Sequence, residues 1–253
     1  MKIYVLVKQV PDTETAIKVA GTSISEAGIK WIVSPFDENA LEEALRLKEK
    51  TGGTITAVSI GPDRVVEALR TAYALGADNA VHIKDDNYNV LDVGYTAAAL
   101  AKYLQGESPD LVIAGHTAID SQSSMVPSMI AEYLGCASIT SAVQLAVEGG
   151  KVSAKREIEG GTAKMEASTP AVVTAAKSLN DPRYPSLKGI MASKKKQIES
   201  KPVDSLGVSA AKIEVASLEP PPPRPPGRVI AGDSPEAKAK ELVKALREEA
   251  KVI

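Results

Sequence analysis

The chain has 253 residues, enough for one large domain or two small ones, and a formal net charge of -2 with 25% charged residues argues against nucleic acid as its main partner. A single cysteine, Cys136, excludes an internal disulfide and a cysteine-based metal cluster, and two histidines far apart in sequence, His82 and His116, argue against a histidine-rich metal site. The N-terminal apolar run is too short for a signal-peptide core and none approaches the ~18 residues of a membrane helix, so a cytoplasmic protein is expected, with a core mostly of Ala, Val, Leu and Ile.

The first run, Ile3 to Val7, is apolar and ends at Lys8-Gln9 and Pro11, the pattern of a buried strand. Ala16 to Val33 is irregular, with β-like pieces at Ile17 to Val19 and Ile29 to Val33. Pro35 is suited to open a helix. Asp37 to Lys50 then repeats apolar positions at Ala40, Leu41, Ala44, Leu45 and Leu47, with acids early and bases late, as the helix dipole favours. Gly52-Gly53 ends it. Thr54 to Ile60 reads as a second buried strand, and Gly61-Pro62-Asp63 opens a helix to about Leu75, with Gly76 as its C-cap. Ala80 to Ile83 is a third strand, followed by a polar loop, a helix from about Val90 to Leu104, and a strand at Leu111. Four βα units in succession predict an α/β fold with a doubly wound, mostly parallel sheet.

The stretch from Asp110 to Leu134 carries the clearest sign of a ligand. Leu111 to Ala114 is a buried strand, Gly115 breaks it, His116 to Ser124 supply small and hydroxyl side chains, and Met125, Met129, Ile130, Tyr133 and Leu134 follow at helical spacing. A turn of this kind lies at the carboxyl edge of an open sheet, where free N–H groups and the helix dipole favour an anion such as phosphate. Many such turns serve only to cap a helix, and neither glycine-rich phosphate fingerprint is present. Asp120 and His116, four residues apart, read more naturally as cap and ligand contact than as an acid/base pair, and no catalytic constellation is evident in the chain.

Beyond Gly135 the pattern changes to short strand-like runs, Ser141 to Val147, Lys151 to Ile158, Ala163 to Ala167 and Ala171 to Ala175, separated by Gly149-Gly150, Gly160-Gly161 and Pro170. An antiparallel extension of the sheet is the economical reading, with a hairpin at the first glycine pair. Asn180 to Pro185 is a loop, and Ser186 to Ile198 is expected to form a helix bearing Lys194, Lys195 and Lys196, a lysine run that ordinarily marks a solvated face. Glu219 to Gly227, EPPPPRPPG, is a semi-rigid spacer, and Ser234-Pro235 starts an amphipathic helix with Ala239, Leu242, Val243 and Leu246 on one face. That helix has no obvious core of its own and is expected to dock elsewhere, on this subunit or on another chain.

Several segments are recognisable together: VLVKQVPD at the start, SPFDE leading into ALEEALRLKE, AGHTAID, REIEGG followed by PAVVTA, and NDPRYPSLKGIMASKKKQIE. In order and spacing, over nearly the whole chain, they resemble the β (small) subunit of electron transfer flavoproteins. The resemblance implies an adenine-nucleotide alpha-hydrolase-like α/β fold and an electron carrier with no catalytic residues of its own. It implies a larger α subunit as heterodimer partner, which holds most of a redox FAD, while β carries a structural AMP. It also implies docking to acyl-CoA or other dehydrogenases, with a role such as fatty acid oxidation. Alternatives are a bifurcating subunit with a second FAD in place of AMP, or a stand-alone AMP- or ATP-binding module without electron transfer.

Carried over position by position, the resemblance places the nucleotide against Leu6, the turn Ser34-Pro35-Phe36-Asp37, Ile60, and the run Gly115, His116, Thr117, Ala118, Ile119, Asp120, Ser121, Gln122, Ser123, Ser124, Met125 and Val126. Ser121 to Ser124 would cradle phosphate. Leu187, with Ile190 and Met191, would anchor the partner dehydrogenase, a small apolar contact ringed by charge that suits fast exchange. Where AMP-bearing members often place Lys or Arg after the glycine, this chain has His116; where some place an aromatic residue near the flavin, it has Thr13. The expected organisation is a nucleotide-binding domain over residues 1–183, a recognition segment over 184–199, and a C-terminal arm and helix over 200–253 docking on the α subunit.

Overall fold

Along β1 (Lys2–Leu6) the side chains of Ile3 and Val5 enter one apolar layer and those of Tyr4 and Leu6 another, and this alternation sets the plan of the fold. The computed structural model describes residues 1–224 and 226–253, so Pro225, inside the expected proline-rich spacer, lies outside the described residues. After β1 the chain makes a small ribbon: β2 (Gln9–Pro11), a minimal hairpin of β3 (Val19–Ala20) and β4 (Ser23–Ile24), and β5 (Trp31–Val33), which returns antiparallel to β2. The Arg64 guanidinium lies over Trp31, its Cζ 3.6 Å from the ring centroid, and secures that ribbon to the main body.

The βα units then follow as α1 (Pro35–Thr51), β6 (Thr54–Gly61), α2 (Val66–Leu75), β7 (Asn79–Lys84), α3 (Val93–Glu107), β8 (Leu111–Gly115) and α4 (Val126–Leu134). Helix α1 begins with Pro35 in its first turn, carries Asp37 and Glu38 there and Lys48 and Lys50 in the last, and stops at Gly52 with φ of 74°. Helices α1 and α2 cover the face of Ile3, Val5 and Ile113; α3 and α4 cover the face of Tyr4, Leu6 and Val112. Each face buries Leu, Ile and Val side chains, which contribute about 1.5–3 kcal/mol apiece relative to exposure.

The remaining strands are β9 (Ala137–Glu148), β10 (Lys151–Ile158), β11 (Gly161–Ser168) and β12 (Ala171–Ala175). A short helix α5 (Leu187–Ser193) and an edge strand β13 (Glu199–Pro202) complete the nine-stranded sheet, whose order is β11-β10-β9-β12-β8-β1-β6-β7-β13. The fold is α/β with a mostly parallel sheet. Two details differ from the sequence reading. Strand β12 does not extend the sheet antiparallel; it inserts parallel between β8 and β9, register Val172↔Val112 and Val172↔Ser138. The reason is in its composition, since Ala171 to Ala175 is buried at every position, as a strand covered on both faces must be. The helix expected over Ser186 to Ile198 ends at Ser193, because Lys196 turns back to donate to the Ala77 carbonyl at 2.8 Å and sits over the Tyr73 ring.

Two compact units divide the chain, Met1–Ala216 and Ser217–Ile253. Residues 200–216, expected in the C-terminal arm, belong to the first: β13 pairs with β7, and the Asp92 carboxylate receives the N–H groups of Lys212 at 2.7 Å and Ile213 at 3.1 Å. The second unit contains α6 (Pro235–Lys244), capped by Ser234 and braced by an Arg228–Glu249 pair at 2.7 Å. No residue of α6 is buried, and Leu242 and Val243 are each nearly half exposed. Among the described residues no helix is long and apolar enough to cross a membrane.

Candidate functional site

The order of strand addition reverses at β1: the following parallel strands β6 and β7 lie to one side and β8 to the other. At such a switch point the βα loops part on either side of the strand ends and leave a hollow. Here a half-open hollow lies at the carboxyl ends of β1, β6 and β8. Leu6 at the end of β1 and the following Val7 and Lys8 line it; β6 contributes Val58, Ser59 and Ile60; β8 contributes Ala114 and Gly115.

Asp37 forms the floor. It is buried near the start of α1, and its carboxylate accepts the Lys8 N–H at 2.8 Å and the Gly115 N–H at 2.9 Å. Burial pushes its pKa up to about 7, although the two N–H groups pull the other way. Gly115 is required here, since a Cβ at that position would lie 2.5 Å from Asp37 Oδ1 and 2.7 Å from Phe36 Cβ. Phe36 therefore backs the glycine from behind. Ser34, buried at the N-cap of α1, has no hydrogen-bond partner for its hydroxyl among the described residues, and Pro35 opens the helix.

The loop from His116 to Met125 forms the rim. His116, Thr117, Ala118, Ser121, Ser123, Ser124, Met125 and Val126 all line the hollow, whereas Ile119, Asp120 and Gln122 do not. Gln122 N–H donates to the Ala118 carbonyl at 2.9 Å, and Gln122 and Ser124 take left-handed backbone angles of 51° and 53°, which fold the loop tightly. Met125 occupies the N-cap of α4 without a side-chain cap, so the Val126 and Ser128 N–H groups, on either side of Pro127, are left without a side-chain partner at the helix start. An anion there would complete the helix end.

His116 and Asp120 do not meet as a pair. The His116 ring lies against Ser141 Oγ, 2.9 Å from Nδ1, and edge-on to Phe36; burial and then nearby Arg156 lower its pKa, so it is neutral at neutral pH. Asp120 instead holds Lys8, Nζ to Oδ1 2.8 Å. Lys8 is thus the cation of the hollow, a role the sequence reading did not give it. Its position directly after the β1 apolar run was the signal available.

The far wall was also missed. Tyr88, Val90, Val93, Thr96 and Leu100 come from the loop after β7 and from α3, and make that side apolar. Sequence alone gives them no motif; only the closure of β7 beside β6 brings their loop to the same edge. Two hydroxyl oxygens in these walls, Ser59 Oγ and Thr117 Oγ1, are buried without a hydrogen-bond partner among the described residues. Unpaired buried hydroxyls cost about 1–3 kcal/mol each, which a bound polar ligand or water would offset.

The predicted partner-binding residues lie elsewhere. Leu187 is 78% exposed, Met191 59% and Ile190 39%, all on α5, which packs against α2. A Cβ on Gly189 would collide with the Ala74 carbonyl, so this glycine lets α5 approach α2 closely.

Sheet and hollow together define an open-sheet α/β protein with its main crevice at the carboxyl edge. A family model described as the electron transfer flavoprotein domain matches residues 21–206. Electron transfer flavoprotein subunit beta of Bacillus subtilis is 40% identical over the full length of both chains, and its counterpart in Syntrophomonas wolfei is 40% identical over all of this chain and 98% of its own. The Bradyrhizobium diazoefficiens subunit beta is 38% identical, again over both full lengths. The chain belongs to the electron transfer flavoprotein family, among its beta subunits.

Proposed function

We propose that this chain is the small subunit of a cytoplasmic heterodimer that takes electrons from dehydrogenases, acyl-CoA dehydrogenases among them, and passes them to a downstream acceptor. Full-length similarity to beta subunits carries this reading. The partner is a larger α subunit that holds most of an FAD, and the FAD supplies the electron chemistry when bound. This chain's part is to complete the flavin environment, carry a structural AMP and receive the dehydrogenase.

The residues of the hollow fit a mononucleotide. Leu6, Val58, Val90 and Leu100 offer an apolar wall suited to an adenine ring. Ser121, Ser123, Ser124, the uncapped start of α4 and the Lys8 ammonium offer hydroxyls, N–H groups and a cation suited to phosphate. The unpartnered Ser59 and Thr117 hydroxyls add two further groups free to bond a ligand.

The test is cofactor content. The chain is co-expressed with an α subunit, the complex denatured, and the released nucleotides separated. One FAD and one AMP per heterodimer is the expected result. Two FAD and no AMP would replace the structural nucleotide with a second flavin, and a stable flavin-free monomer would overturn the reading.

A further inference from the structure

We propose that Asn180 and Arg183 are positioning residues for the dehydrogenase contact: they fasten the loop ahead of α5 to a polar flank of α1 and so fix where Leu187 is presented. This rests on reading Leu187 and its apolar neighbours as the docking anchor.

The recognition segment cannot order itself. Helix α5 has seven residues, too few to be stable alone, and only Ser193 in it is buried. Tyr184 is 95% exposed and Leu187 78%, so the apolar tip has almost no packing of its own. A loose anchor would have to be ordered at each encounter, and that cost subtracts from affinity. The fold must hold it from behind.

Helix α1 does so with Asn39, Glu42 and Glu43, all buried. Asn39 and Asn180 exchange hydrogen bonds across 141 residues: Asn39 Nδ2 donates to the Asn180 carbonyl at 2.8 Å, and Asn180 Nδ2 donates to the Asn39 carbonyl at 3.1 Å. Asn180 also donates to Glu43 at 3.0 Å. Arg183 spans two turns of α1, reaching Glu42 with Nε at 2.7 Å and Glu49 with Nη1 at 2.6 Å. Its main-chain N–H donates to Glu42 as well, at 3.2 Å. Burial would raise the Glu42 pKa, but the hydrogen bonds from Arg183 and Arg46 outweigh it and hold the carboxyl below its usual range.

The network has a specific mechanical place. Downstream, the segment is held independently on α2, where Arg70 donates to the Ser193 carbonyl and the Tyr73 hydroxyl to the Gln197 carbonyl, each at 2.6 Å. Upstream, Asn180 and Arg183 make side-chain bonds to α1, and Arg46 of α1 adds a longer one to the Asp181 carbonyl at 3.4 Å. Loss of Arg183 should therefore free Tyr184 to Leu187 while the sheet and the α2 contact persist. A directional polar network sets one register, which apolar packing of equal strength would not.

The experiment compares heterodimers of this chain with its α subunit: unmodified, Arg183→Ala, Arg183→Lys and Leu187→Ala. Flavin reduction by an acyl-CoA dehydrogenase and its substrate is followed against heterodimer concentration, with dithionite reduction alongside. Arg183→Ala should raise the half-saturating concentration about tenfold, with the maximal rate and dithionite reduction unchanged. Arg183→Lys, which keeps the charge but not the fork, should recover part of the loss. An unchanged half-saturating concentration for Arg183→Ala, beside an impaired Leu187→Ala, overturns the positioning role. If Leu187→Ala is also unimpaired, the docking reading fails first and the inference falls with it. Should Arg183→Ala not fold, Glu49→Gln at the exposed partner replaces it; a rise of about threefold supports the role, and no rise overturns it.

Discussion

The Asp37 carboxylate accepts the Gly115 N–H at 2.9 Å across 78 residues of sequence, and with the Lys8 N–H on its other oxygen it closes the fork where β1 and β8 separate. The two strands pair only from Ile3–Val5 to Leu111–Ile113. Beyond that they splay around the start of α1, and the acid fills the gap that backbone pairing leaves.

Asp37 makes stability depend on pH in an unusual direction. Its pKa rises from the ordinary 3.8 to about 7, so between these values the folded chain keeps a proton that the unfolded chain has released. The contribution is complete below the unfolded value and is lost as pH rises through about 7. Denaturant unfolding of the subunit should show more of this stabilisation at pH 5 than at pH 8. Asp37→Asn should flatten that difference and cost about 1–3 kcal/mol, because its amide nitrogen must face one of the two N–H donors. An unaltered pH slope in the variant would remove Asp37 as its source.

Gly115→Ala should damage both fold and ligand site. The new methyl would meet the Asp37 carboxylate and the Phe36 backbone together, and neither is a flexible chain end. A loss of about 1–3 kcal/mol, with reduced nucleotide after gel filtration, is expected. Full nucleotide content at unchanged stability would refute the close approach.

Lys8→Met tests the charge in the hollow. The stem is kept and the ammonium beside Asp120 and Ser121 is removed. Nucleotide release should accelerate about tenfold or more, because a cation is lost and Asp120 is left unpaired near the phosphate end. Release of nucleotide into a trap, followed in time, checks it; an unchanged rate would place the phosphate away from Lys8.

Gly189→Ala should lift α5 from α2, since the added carbon would collide with the Ala74 carbonyl. Dehydrogenase-driven flavin reduction should slow at low heterodimer concentration while AMP content stays intact. Equal rates at every concentration would show that the helix-to-helix distance is immaterial to docking.

The strands were legible where apolar runs were bounded by glycine or proline: Lys151–Ile158 and Ala171–Ala175 have the expected limits. Position in the sheet was less so. Ala171–Ala175 follows a hairpin, which points to antiparallel continuation, yet burial on both faces is satisfied only in the middle of the sheet. In the hollow, Gly115 and the serine loop stood out because a strand, a glycine and hydroxyls adjoin in sequence. Tyr88, Val90 and Leu100 did not, since ordinary apolar side chains gain their place only from the folded edge. The Arg183 fork is of the same kind: its partners, Glu42 and Glu49, lie on the helix near the other end of the domain and form no local pattern with it.

The insertion of β12 between β8 and β9 also bears on the order in which the protein can be made. All strands and loops that wall the hollow precede residue 128, so a nascent chain could gather them early. At that stage β8 is still an open border, with Leu111–Gly115 bare of its second neighbour. The gap is filled only after some forty-five further residues, once Ala175 has left the ribosome. During that interval the half-made sheet offers an apolar, unpaired edge to any extended segment nearby, and β12 must reach it before a stranger does.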